Sequence, residues 1–170
     1  MGIKRIQADL PREIYENFPE GTINWREVEA DPIAHGPGTP GFWPGIRGNV
    51  ETQQIVRRDT CGADKTVMGR SVYHPGDYHQ PHLHYYAEEI MYCISGRGVV
   101  GAGDKEYVLC AGDVQFNKVG TVHWLRNPFD EPCEFIWMYS GCSMPLESGY
   151  ATCEWFDEGM KIFHNAAPVK

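Results

Sequence analysis

Nowhere in its 170 residues does this sequence hold an apolar run near the roughly 18–20 residues of a bilayer-crossing helix. Its opening stretch, MGIKRIQADLPREIYENF, lacks the apolar centre of a secretory signal, and position six carries neither Ser nor Thr for myristoylation at Gly2. Basic residues are few: 15 Lys and Arg face 23 Asp and Glu, and the formal net charge is −8. The short groups IKRI and VRR make no basic stripe, so nothing is available to neutralise a phosphate backbone, and nucleic acid is excluded as a partner. The six cysteines (Cys61, Cys93, Cys110, Cys133, Cys142, Cys153) show no CxxC spacing. Without a secretory signal, free thiols are expected rather than a disulfide framework. Internal repeats are absent as well, which excludes solenoids and propellers. These absences predict a cytoplasmic protein with no membrane partner.

What is present suits one domain with its own core: 42% hydrophobic and 12% aromatic residues. Residues 9–18, DLPREIYENF, predict a short helix with Asp9 as N-cap and Pro11 in its first turn. From Asp31 to Asn49 four prolines and five glycines exclude regular structure. Ile33, Phe42, Trp43 and Ile46 are too apolar for a solvated linker, so this arm is expected to wrap over the body. Strand-like runs then follow at 50–58, 66–74, 89–95, 98–103, 105–110, 113–118, 122–127 and 133–140, separated by turn sequences such as HPGD, SGRG and NPFDEP. Many short strands at this spacing predict an all-β sandwich or barrel, with the last 25 residues as a closing strand or short helix.

Within this pattern GDYHQPHLHYYAEEIMYCISG, from Gly76 to Gly96, concentrates histidine. On a strand His82 and His84 share one face, so both imidazoles point to one spot. Glu88 and Glu89 open the next strand, and only one of them faces the same interior. His123 heads a later strand. Three imidazoles and one carboxylate suit a divalent transition ion: Fe(II), Zn(II), Mn(II), Ni(II), Co(II) or Cu(II). An HxH pair alone reads better as surface histidines in a polar turn.

The surrounding spacing resembles that of the cupin family. Its first motif is a glycine, five residues, HxH, three or four residues, Glu, six residues and a glycine, and Gly76, His82, His84, Glu89 and Gly96 occupy each position. In the second motif Gly112, Gly120, His123 and Asn127 match, while Lys118 stands where the family has proline, a change that bears on the stiffness of that turn. The resemblance implies a double-stranded β-helix (jelly-roll barrel) with metal ligands His82, His84, Glu89 and His123, and it selects Glu89 over Glu88. It further implies a homodimer, and with the strand pattern it divides the single domain into an N-terminal arm over 1–49, a barrel over 50–145 and a closing segment over 146–170, with short peripheral helices.

Around the metal, Arg70 is a candidate clamp for a substrate carboxylate or enolate, with a surface ion pair as its alternative. His79 is a candidate acid/base at the rim, or an exposed loop histidine. Tyr92, with Tyr85 and Tyr86, is a candidate source of a hydroxyl. Some metal-dependent lyases similar to cupins place a catalytic tyrosine two residues after the metal-binding glutamate; here that position is Met91. Met91 and Cys93 share parity with Glu89 and are expected in the pocket, with Trp124, Trp137, Tyr139 and Phe116 as core and wall. No chemistry is assigned to His35, His74 or His164, and the tail acids Glu154, Asp157 and Glu158 read as a solvated face. Four protein ligands leave two positions on an octahedral ion for a small-molecule substrate. The favoured reading is an Fe(II) dioxygenase cleaving a C–C bond of a diketone, hydroxyketone or catechol. A Lewis-acid lyase, isomerase or cyclase, or a non-enzymatic binding cupin, is the alternative.

Overall fold

A computed structural model describes Ile23, Trp25, Val28 and residues 45–156 and 159–164 of the chain. The helix expected over 9–18, the arm residues Ile33, His35, Phe42 and Trp43, and the tail acids Asp157 and Glu158 lie outside the described residues.

Among the described residues, twelve strands form two facing antiparallel sheets, the double-stranded β-helix. The five-stranded sheet runs in the order β2 (Glu51–Val56), β3 (Thr66–Tyr73), β10 (Cys133–Ser140), β5 (Glu88–Ser95) and β8 (Val114–Asn117). In the seven-stranded sheet the order is β12 (Gly159–His164), β11 (Tyr150–Phe156), β4 (Tyr78–His84), β9 (His123–Arg126), β6 (Arg97–Ala102) and β7 (Lys105–Cys110), with β1 (Ile46–Arg47) also paired to β4. One helical turn, α1 (Arg58–Cys61), follows β2, and a 3-10 turn at Pro145–Ser148 precedes β11. Among the described residues no helix is long and apolar enough to cross a membrane.

Period-two burial builds the core. Along β10 Cys133, Phe135, Trp137 and Tyr139 point inward, and along β3 Val67, Gly69, Ser71 and Tyr73 do the same. The register pairs Trp137 with Gly69, and a Cβ there would come within 2.1 Å of the indole, so glycine makes room for the ring. Gly96, at φ +69°, turns β5 into β6 so tightly that a Cβ would lie 2.4 Å from the Pro132 carbonyl.

Three elements differ from the sequence reading. The run expected over 50–58 ends at Val56, because the Arg57 N–H is accepted by Thr60 Oγ1 and the chain turns into α1. β4 was missed as a complete strand, because Pro81 interrupts it and proline argues against a central strand. The closing segment consists of two strands, of which β11 joins the seven-stranded sheet through β4.

Phe135 is 1% exposed at the centre of this core and meets Tyr73 edge to face at 6.2 Å. Phe135→Ala is therefore expected to lower stability by about 3–5 kcal/mol. Urea unfolding should show a lower midpoint at unchanged slope, and a loss below 1 kcal/mol would contradict this packing.

Candidate metal centre

The site begins with an irregularity in β4. His79 pairs with Leu125 and His82 with His123, so three steps along β4 match two along β9. This one-residue bulge at Gln80–Pro81 turns His79 to the same face as His82 and His84, although its spacing from them is odd. The bulged backbone is satisfied: Gln80 N–H donates to the Gly45 carbonyl at 2.9 Å, and Pro81 has no N–H to place.

His82 and His84 from β4, His123 from β9 and Glu89 from β5 converge, their ligand atoms all within 4.8 Å of one another. All four are buried, at 2–4% exposure. Each imidazole is held from behind. His82 Nδ1–H donates to the Gln80 carbonyl and His123 Nδ1–H to the Thr121 carbonyl, both at 2.8 Å, while His84 Nδ1 bonds Ser148 Oγ at 2.8 Å. Carbonyls only accept, so the contacts of His82 and His123 fix their tautomers and turn Nε2 inward, while the Ser148 hydroxyl orients the His84 ring. The Nε2 atoms of His82 and His84 are buried without a hydrogen-bond partner among the described residues, and His123 Nε2 meets the Glu89 carboxylate. Two orphaned imidazole nitrogens beside a buried imidazole–carboxylate pair are costly in a barrel interior and fit a divalent transition ion.

The electrostatics agree. Burial pushes His82 well below its usual value, helped by the neighbouring His79, and burial takes His84 down to about 3. Both are therefore neutral imidazoles, the form a metal requires. Burial alone would raise Glu89 and lower His123, but their mutual attraction at close contact wins. The carboxyl is held below its usual range and the imidazole above. An ion seated between them would take over the role of that shared charge.

The second motif supports the site from its turns. Gly120, at φ +76°, donates its N–H to the His84 carbonyl at 2.8 Å, and Thr121 N–H closes the turn onto the Lys118 carbonyl at 3.0 Å. The turn thus forms with lysine in the proline position. Asn127 bridges the Tyr73 and Glu131 carbonyls and the Phe129 N–H, fixing the exit of β9.

Beside the ligands, His79 stacks on His82 with centroids 4.0 Å apart and shares a 2.9 Å hydrogen bond with the Tyr150 hydroxyl. Tyr150 is buried, and burial holds its phenol protonated, well above the usual value. No local signal marks Tyr150 in the sequence, because it arrives from β11, paired to His84. Met91 and Tyr139 line the cavity as expected, and Cys93 sits in the core behind it.

Two candidates point elsewhere. Arg70 alternates outward on β3, where it pairs with Glu134, bonds Gln53 Oε1 at 3.1 Å and covers the Trp25 ring. Tyr92 lies on the outer face of β5, 42% exposed, because its parity is opposite to that of Glu89 and Met91. Phe116, expected in the wall, is 51% exposed on β8 for the same reason. Tyr85 and Tyr86 are exposed after β4, Glu88 is half-buried, and His74 pairs with Glu51 at the surface. His164 ends β12.

His84→Ala is expected to abolish stoichiometric metal after loading and dialysis, read by elemental analysis, while Tyr92→Phe should leave it unchanged. Ser148→Ala should weaken metal affinity by about 10–100-fold, since the hydroxyl only orients the ligand. Full metal retention in His84→Ala would refute the site.

Comparison with known proteins agrees with this geometry. Residues 69–139 match the family described as Cupin domain. A polyketide synthase, CurC, of Streptomyces cyaneus is 27% identical over 111 residues, covering 65% of this chain and 72% of its own. An oxalate-binding protein of Thermotoga maritima is 28% identical over 92 residues, covering 54% of this chain and 76% of its own. The solved structure of a "predicted oxalate decarboxylase" from the same organism superposes with a TM-score of 0.59 at 24% identity, over 70% of this chain and 97% of that one. With both motifs in place on a double-stranded β-helix, residues 69–139 of the chain are similar to the cupin domain in sequence, and the fold is the one its solved relatives share.

Proposed function

We propose that this protein is a metal-dependent enzyme that binds a small enolisable ketone through two oxygen atoms and moves a proton with His79. The observation that carries this reading is the His79–Tyr150 pair, stacked against the ligand His82 at the cavity wall. A divalent ion held by His82, His84, Glu89 and His123 would supply Lewis acidity toward a carbonyl or, as Fe(II), redox chemistry with dioxygen.

The protein's own contribution is positional. Met91, Leu125 and Phe135 keep the cavity apolar, which excludes water and strengthens each polar contact within it. The 2.9 Å hydrogen bond to the Tyr150 hydroxyl orients the His79 imidazole, which takes a proton from the substrate carbon as general base and, as its conjugate acid, returns that proton to the product. Resemblance to a polyketide synthase supports a ketone-bearing substrate.

The Fe(II) dioxygenase is the second reading, favoured by the same apolar wall, which suits dioxygen beside a diketone. Turnover separates the two. Metal-loaded protein is expected to convert members of a panel of hydroxyketones and β-diketones without oxygen, followed by proton NMR. His79→Gln should keep its metal and lose about 10²–10⁴-fold in kcat. Conversion that requires stoichiometric oxygen uptake would replace the proton-transfer reading with the dioxygenase. A metal-loaded protein that binds these ketones but turns none over is a binding module.

A further inference from the structure

Alternation of apolar and polar side chains fails on the outer face of the five-stranded sheet. An antiparallel sheet that turns one face to water carries apolar side chains inward and polar ones outward. On β10 the inward Phe135, Trp137 and Tyr139 alternate with outward Ile136 and Met138. On β5 the inward Glu89, Met91 and Cys93 alternate with outward Ile90, Tyr92 and Ile94. Strands apolar on both sides belong to sheets that are covered on both sides.

The register gathers the outward residues into one patch. Met68, Met138, Ile90 and Phe116 lie side by side across β3, β10, β5 and β8. Two residues further along, Ile136, Tyr92 and Val114 form a second row across β10, β5 and β8, and Ile94 extends the patch along β5. Val114 is 58% exposed, Phe116 51%, Tyr92 42% and Ile94 40%, while Met68, Ile90, Ile136 and Met138 are half-buried. None of these eight side chains is charged.

The far border of the patch is already occupied. The second row continues from Ile136 to Arg70, which pairs with Glu134 and lies 4.3 Å from the centre of the Trp25 ring. Beside it Gln53 Nε2–H donates to the Val28 carbonyl at 2.6 Å. The described part of the arm therefore sits on the polar β2–β3 side and leaves the apolar β5–β8 side open.

Size and charge select the occupant. Four strands about 4.8 Å apart and three side chains along β5 make an apolar centre of roughly 14 Å by 13 Å. With a rim one side chain wide it reaches on the order of 700 Å², close to the roughly 800 Å² that each partner gives a standard interface. A single extended segment is too narrow to cover that width, whereas a second sheet face packs on it at about 10 Å. The formal charge of −8 makes two copies repel over most of their surface. On this uncharged patch, bordered by the neutral Arg70–Glu134 pair, they approach at least cost.

We infer that the outer face of the five-stranded sheet is the interface of a two-fold homodimer, with Tyr92 and Phe116 as its aromatic anchors. The inward faces of the same strands carry Glu89 and Met91, so the contact backs the metal cavity without entering it. It is independent of the reaction proposed above.

Sedimentation velocity on the full chain, over about 0.1 to 100 μM, is the test. The unaltered protein is expected to sediment as a dimer in the upper part of that range. Val114→Glu/Phe116→Glu sets four like charges into the contact and should sediment as a monomer throughout, with unchanged far-UV circular dichroism and metal content. The milder Tyr92→Ala/Phe116→Ala should raise the dissociation constant about 100-fold, and it decides the matter if the charged variant fails to fold. Leu146→Glu, at a 72% exposed residue of the 3-10 turn, should leave the dimer intact. A monomer at the highest concentration of unaltered protein overturns the inference. A dimer undiminished in the Tyr92→Ala/Phe116→Ala variant, or lost equally in Leu146→Glu, overturns it as well.

Discussion

A single extra residue in β4 governs the centre of this molecule. A regular strand would send His79 to the opposite face from His82 and His84, and the bulge at Gln80–Pro81 turns all three inward. The distortion also serves the site directly, because the Gln80 carbonyl it displaces accepts the His82 Nδ1–H. Proline suits this place, having no N–H that a disrupted ladder would strand. The orientation of the ligand histidines and the placement of His79 therefore share one backbone feature.

The two sheets contribute unequally. Three imidazoles come from the seven-stranded sheet, and the carboxylate comes from the five-stranded one. Their convergence depends on how the sheets face each other, which the core around Phe135, Trp137, Val67 and Leu125 sets. Burying four polar ligands is unfavourable in itself. The hydrogen bonds behind each histidine lessen that penalty, and a bound cation would remove the rest. The geometry of the site and stability are in this sense one problem, solved by the same packing.

Beyond the ligands, the cavity has a polar feature at each end and an apolar middle. His79 and Tyr150 stand beside the metal residues, and Thr52 and Ser71 stand further along the barrel. The cupin fold hosts many chemistries, and in this chain these are the groups that flank the ligand cluster. They come from β2, β3, β4 and β11, four strands whose sequences show no common motif.

Alternation and turn chemistry were legible in the sequence. Runs of period two located most strands, and β7 and β10 matched their expected spans because charged or glycine-rich turns bound them closely. The two-residue step from His82 to His84 placed both on one face by strand geometry alone, and motif spacing chose Glu89 over Glu88. Arg70 and Tyr92 were drawn toward the site by residue type; the parity of Tyr92 opposite to Glu89 stood in the sequence, whereas that of Arg70 became visible only once pairing with β10 fixed which face of β3 is buried. The inward turn of His79, its partnership with Tyr150 and the Thr52–Ser71 pair belonged to tertiary structure throughout. Each depends on a bulge, a register or a contact between residues far apart in the chain, and local periodicity carries no record of any of these.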